Sequence, residues 1–389
     1  MTRSPFLSAL TLLVLLLRPA CAVELAPDAQ RLLQKGLDGI YRMDFDGADR
    51  ALRQVAERSG HPYAYLGLVG SSMTRFVYGT EQSDLSLLTD FDRRVEEAAE
   101  ASERWLKAHP NDPQGLLALG ASYGIAARVQ AQRLQWIKAY ISARRGIKNV
   151  RAALEADPKL GDAWLGLGMY DYYSDTYPRF IGVLAKIVLR GSRDRGIEEL
   201  RRCAKEGSFA RTAAQLILVE VFTEDRFGSR DPREAVRLMD DIRGKYPRSA
   251  MLHAAELVAL FEDGRMELFN DGVEEFLNRV RDGGYEPMQL AKGLLMRGTV
   301  RWSQGRRAEA LEDLRAGAQV RYKGGPARWA VWSRIRSAQL LDLLGRRDEA
   351  LEEYRAAAAE PDHWGLLEFA EAGLKKPWTA EKPGHISPF

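Results

Sequence analysis

The chain has 389 residues, 57 basic against 54 acidic side chains and 46% hydrophobic residues. That apolar share suffices for a packed core and excludes a disordered chain, while the near balance of charge removes the electrostatic case for nucleic acid. With two cysteines in the whole sequence, stability has to come from packing.

Residues 1–22, MTRSPFLSALTLLVLLLRPACA, combine Arg3, an apolar stretch from Leu10 to Leu17 and the ending Ala20-Cys21-Ala22, the arrangement of an export signal. Cleavage is expected after Ala22. It would remove Arg3 and Arg18, leaving 55 basic against 54 acidic residues and Cys203 as the remaining thiol, so no internal disulfide could form. Acylation at Cys21 is the alternative, although Arg18 and Pro19 fit the box before a lipidated cysteine badly. The expected location is the periplasm or outside the cell, with peripheral contact to the envelope. No later stretch approaches the roughly 18–20 uncharged apolar residues of a membrane span.

Beyond the leader the sequence repeats. Ala48, Ala98, Gly146, Gly196, Ala235, Gly272, Ala310 and Ala350 follow one another at intervals of 50, 48, 50, 39, 37, 38 and 40 residues, inside related phrases such as DFDGADRALRQV, DRGIEELRRCAKEG and RRDEALEEYRAAAAEP. A small residue at a fixed place in a helix lets an antiparallel neighbour approach closely, so each phrase is expected to be the second helix of a hairpin. The first helices carry the complementary signal, Leu116, Leu119, Gly120 and Tyr123 in LLALGASY and Trp164, Leu167 and Gly168 in WLGLGMYD.

With that pattern the chain resembles the tetratricopeptide family, whose motif runs W-x2-L-G-x2-Y, then a small residue, an aromatic and a late proline. Gly36 to Ala48 and Gly298 to Ala310 keep the family's twelve-residue step, and Pro158 and Pro247 each fall twelve after their small residue. The expected fold is all-α, a right-handed superhelix of about eight hairpins. Gly70 to Ala98, Gly120 to Gly146 and Gly168 to Gly196 span 28, 26 and 28 positions, so these three repeats carry 16, 14 and 16 extra residues. The organisation expected is a signal over 1–22, enlarged repeats over 23–207, plainer repeats over 208–374 and a tail over 375–389. A narrower resemblance, in YRMDFDGADRAL and YPRFIGVLAKIVLRGSRDRGIEEL, is to the family of the inclusion-body clearance protein and its bacterial exported relatives. It implies a helical scaffold and no catalytic residues.

Tyr172 and Tyr173, counted from Gly168, would face the concave side, where tetratricopeptide proteins commonly bind peptides, and Trp302 and Trp332 could line the same groove. Buried packing would use these aromatics equally well. The apolar run holding Phe180, Val183, Leu184 and Ile187 is expected to be internal wall. Common metal, nucleophile and phosphate motifs are missing, so no enzyme activity, cofactor or metal is expected. Asp44 and Asp46 suit a helix cap better than calcium. The sequence thus points to a scaffold for a protein or peptide partner; the alternative is a carrier holding a lipid or other apolar ligand among the enlarged repeats.

Overall fold

The computed structural model describes residues 25–176, 191–223, 229–361 and 364–386. Within them the chain folds into antiparallel helix pairs: α1 (Pro27–Tyr41) with α2 (Phe45–Ser59), α3 (Pro62–Thr74) with α4 (Leu87–Ala108), α5 (Pro113–Gln132) with α6 (Trp136–Ala156), α7 (Ala163–Thr176) with α8 (Arg193–Glu206), α9 (Arg211–Thr223) with α10 (Pro232–Lys245), α11 (Ala250–Glu262) with α12 (Met266–Arg281), α13 (Gln289–Ser303) with α14 (Arg307–Ala318) and α15 (Arg328–Leu343) with α16 (Arg347–Ala358). A last helix, α17 (Leu367–Lys375), covers the end, and a two-residue ribbon, β1 (Arg321–Tyr322) and β2 (Gly325–Pro326), joins α14 to α15.

Local chemistry fixes where these helices begin. Proline occupies the first turn of α1, α3, α5 and α10, where its missing N–H costs nothing. Side chains cap the free N–H groups: Asp44 accepts from Gly47 N at 3.0 Å, Asp112 from Gly115 N at 2.8 Å and Asp231 from Glu234 N at 3.1 Å. Asp162 ties α7 to the next pair by accepting from the backbone of Ser208, Phe209 and Ala210 at 2.7–3.0 Å.

Every small residue of the periodic series lies in the second helix of its pair. A Cβ added to Gly120 would stand 2.8 Å from the Gly146 carbonyl oxygen, and one on Gly168 would stand 2.8 Å from that of Gly196. At these crossings backbone meets backbone, so glycine is required. Gly70, which carries the same sequence signal, has nothing within 4 Å of such a Cβ; the approach it would permit is not made.

Helices α4, α5 and α6 run 22, 20 and 21 residues, against 12 to 16 in α10 through α16. In the α3–α4 pair the extra length also includes a π-type turn, Arg75–Gly79, and a loop over 80–86. The tight turns inside pairs use a left-handed residue: Gly264, Gly305 and Gly345 at φ 77°, 79° and 71°, and in equivalent places Met43 at 64° and Leu134 at 58°.

The superhelix closes on itself with a constant offset. The Tyr246 hydroxyl donates to Asp38 (2.7 Å), Met251 N donates to the Met43 sulfur (3.4 Å), and Gln289 Nε2 donates to Glu81 (3.3 Å), each across 208 residues of sequence. One turn of the superhelix therefore takes about 208 residues, and the second turn rests on the first. No described helix is long and apolar enough to cross a membrane.

Candidate functional site

The first helices of the last two pairs, α13 and α15, are buried on almost every side, which a helix of a two-layer superhelix achieves only if something covers its inner face. Two segments do so. Trp329, Trp332, Arg336 and Gln339 stand at steps of three, four and three along α15 and form one inward stripe. The 80–86 loop takes the near end of that stripe, and the chain's own tail takes the far end.

The loop arrives with a charge. Glu81 is 2% exposed and pairs with Lys292, while its other oxygen accepts from Trp329 Nε1 at 2.8 Å. Asp84 accepts from Lys323 Nζ at 2.5 Å, and the Gln82 carbonyl accepts from Trp364 Nε1 at 3.2 Å. Lys323 holds the Asp84 carboxyl below its usual range, against the opposing effect of burial. Glu81 and Gln82 both take left-handed backbone, φ 49° and 58°, which turns the loop sharply enough to enter.

The tail runs back from α17 in extended form. Trp378 N donates to Asp342 at 2.8 Å, Trp302 Nε1 to the Glu381 carbonyl at 2.9 Å, Arg336 to the His385 carbonyl at 2.6 Å and Trp332 Nε1 to the Ile386 carbonyl at 3.0 Å. Side chains add two polar contacts, His385 with Glu262 at 2.8 Å and Glu381 with Arg307. Ile386 is buried against the core of the middle pairs. Arg336 is 4% exposed, lies 4.6 Å from the Trp332 ring centre and also donates to Gln339. Burial pushes its guanidinium down to about 9, with no carboxylate among the described residues paired to it. What holds the tail is thus mostly recognition of main-chain carbonyls, framed by charged side chains at the rim.

No family model matches the chain, and no curated protein matches it. Solved structures of the same class do. A thermophilic TPR protein from Thermus thermophilus is 16% identical, with a TM-score of 0.36 over 60% of this chain and 99% of its own. A tetratricopeptide repeat protein from Parabacteroides merdae is 15% identical, with 0.33 over 77% and 95%. Yeast Tom70 is 12% identical, with 0.36 over 88% and 95%. The assignment stands on this chain's own hairpins, their small positions and their register. The chain is a tetratricopeptide-like α-solenoid.

Within this solenoid the four aromatics singled out by the sequence fall in two places. Trp302 and Trp332, each 2% exposed, lie under the tail in the core of the last pairs. Tyr172, 4% exposed, belongs to a separate core around α8–α12. The Tyr173 hydroxyl donates to Glu220 at 2.6 Å and accepts from Arg128 at 3.0 Å, bridging α5, α7 and α9. Phe180, Val183, Leu184 and Ile187 lie outside the described residues, as do Cys21 and the leader. Sequence reasoning missed Arg336, Lys292, Glu81 and the tail. The available signal for the tail was its prolines, Pro377 and Pro383, which favour extended backbone.

A separate concavity of about 350 Å³ opens at the seam of the two turns, lined by Gln34, Asp38, Arg211, Thr212, Lys245 and Tyr246 among others. Its polar groups are engaged with one another: Asp38 accepts from Tyr246 and Gln34 and pairs with Lys245 at 3.2 Å.

Proposed function

We propose that this chain is an exported, non-enzymatic scaffold that receives an extended segment of a protein partner on the inner face of α13 and α15, in the periplasm or at the cell envelope. The observation that supports this reading is the tail, a peptide-like segment held there through its main-chain carbonyls by Trp302, Trp332 and Arg336. Donors aimed at backbone accept many sequences, and the rim adds selection: Glu262 faces an imidazole and Arg307 a carboxylate four residues earlier. A partner segment with an acidic residue four positions before a basic one fits that frame. A carboxylate reaching Arg336 would gain further, because a buried guanidinium satisfied by neutral acceptors alone retains a desolvation cost.

The test uses a chain ending at Lys375, checked for retained helix by circular dichroism, and a fluorescein-labelled peptide of residues 376–386. Saturable anisotropy is expected, with the full-length chain binding less because its tail holds the site. Arg336→Leu should weaken binding about tenfold or more, the range for a hydrogen bond to a charged group. A helical, shortened chain that does not bind the peptide refutes the proposal.

A further inference from the structure

We propose that the tip of the α5–α6 pair docks on an anionic lipid bilayer. Residues 113–154 hold seven basic side chains and no acidic one, in a chain whose charge otherwise nearly balances. Of the five large apolar side chains that stand exposed among the described residues, three fall within eight positions at this tip: Leu134 at 57%, Ile137 at 79% and Ile141 at 47%. The two features share one surface. Ile137, Ile141, Arg144 and Lys148 follow at steps of four, three and four along α6, a single stripe with the isoleucines at the tip and the cations one to three turns behind.

That order is the depth order of a bilayer interface, with aliphatic groups at the acyl boundary and basic groups at the level of anionic headgroups. Lys138, Arg145 and Lys148 are exposed, and Arg144 rests on the Tyr140 ring and hydroxyl, so none is neutralised within the hairpin. Trp136 and Tyr140 add the aromatic types that favour a membrane–water boundary. Helices of 20 and 21 residues carry the tip about 10 Å beyond the reach of the 12- to 16-residue pairs.

Leu134 points the same way. It takes φ 58° at the turn position that Gly264, Gly305 and Gly345 fill in three other pairs. Met43, the other side chain at such a place, is explained by contact, since its sulfur accepts from Met251 N. Leu134 meets the same steric cost and projects into solvent, which an outward partner would account for. Aliphatic side chains add little on nucleic acid, where aromatic platforms serve the bases.

The test uses the chain beginning at Val23, without the apolar leader, which the described fold does not use. It is sedimented with vesicles of phosphatidylcholine alone or with about 30% phosphatidylglycerol, in about 0.1 M salt. Pelleting with the anionic vesicles is expected, little with the neutral ones, and less at higher salt. Ile137→Ser with Ile141→Ser, and separately Arg144→Glu with Lys148→Glu, should each lower binding roughly tenfold or more, with unchanged melting temperatures because all four side chains are exposed. A wild-type chain that ignores anionic vesicles overturns the proposal. So does a double-serine variant that binds like wild type, or capture of single-stranded RNA that charge reversal abolishes and the serines leave intact.

Discussion

At the scale of single residues, the solenoid's polar interior behaves differently at each buried charge. Arg128 and Glu220 pair across two helices at 2.5 Å, and Tyr173 hydrogen-bonds both. Glu199 is less well served. It faces Asp171 across the α7–α8 crossing, with Arg195 paired to Asp171. Burial first, then the Asp171 charge, raise Glu199 to about 7. The folded state therefore holds this proton more tightly than the unfolded chain does. The stability Glu199 contributes is fully present below the ordinary glutamate range near pH 4.5 and is lost as the pH rises through about 7. The melting temperature should accordingly fall between pH 5 and 7.5 more steeply in the wild type than in Glu199→Gln, which has no proton to lose. Equal slopes in the two proteins would show that this carboxyl does not titrate in that window.

At the scale of elements, the small positions make a sharper test of helix packing because two glycines with the same sequence signal differ in space. Gly168→Ala would drive a Cβ to 2.8 Å from the Gly196 carbonyl oxygen and from Leu200 Cγ. Its cost should be about 1–3 kcal/mol, the range for an overpacked site. Gly70→Ala meets nothing within 4 Å inside α3 and should stabilise by about 0.5–1 kcal/mol by removing the freedom of glycine in the unfolded chain. Denaturant midpoints that move together would discard the close-approach explanation. Gly70 also shows where sequence reading stops. The second helices and their register were legible because a helix crossing needs a small residue at a fixed step, and Ala48 through Ala350 obey it. Whether a given first-helix glycine meets a backbone or open space depends on how each pair is tilted, which no local spacing records. Trp302 and Trp332 were legible as important and not as covered, because an indole lining a groove and one beneath a strap leave the same sequence trace.

At the scale of the whole molecule, the contacts that shape the candidate site join residues about 200 positions or more apart and depend on the curvature of the solenoid, so no short period could reveal them. Glu81 and Lys292 are the clearest case. Both are buried, 2% and 7% exposed, and they close the first turn of the superhelix against α13. Two charges taken out of water are expected to gain little net stability from each other, yet removing one leaves the other buried and unpaired. Glu81→Gln should therefore cost about 3–5 kcal/mol, the range for breaking a buried pair. Replacing both, as Glu81→Gln with Lys292→Met, should recover most of that loss, because no orphan charge remains. The pair would then act as a register device: the double variant should be stable but should exchange the amide hydrogens of the 80–86 loop faster than wild type, since the specific tie between turns is gone while the apolar contacts persist. Mass-resolved hydrogen exchange reads this directly. A double variant as unstable as the single one, or a loop as protected as in the wild type, would mean that the turns are held together by the Trp329 and Trp364 contacts and not by the ion pair.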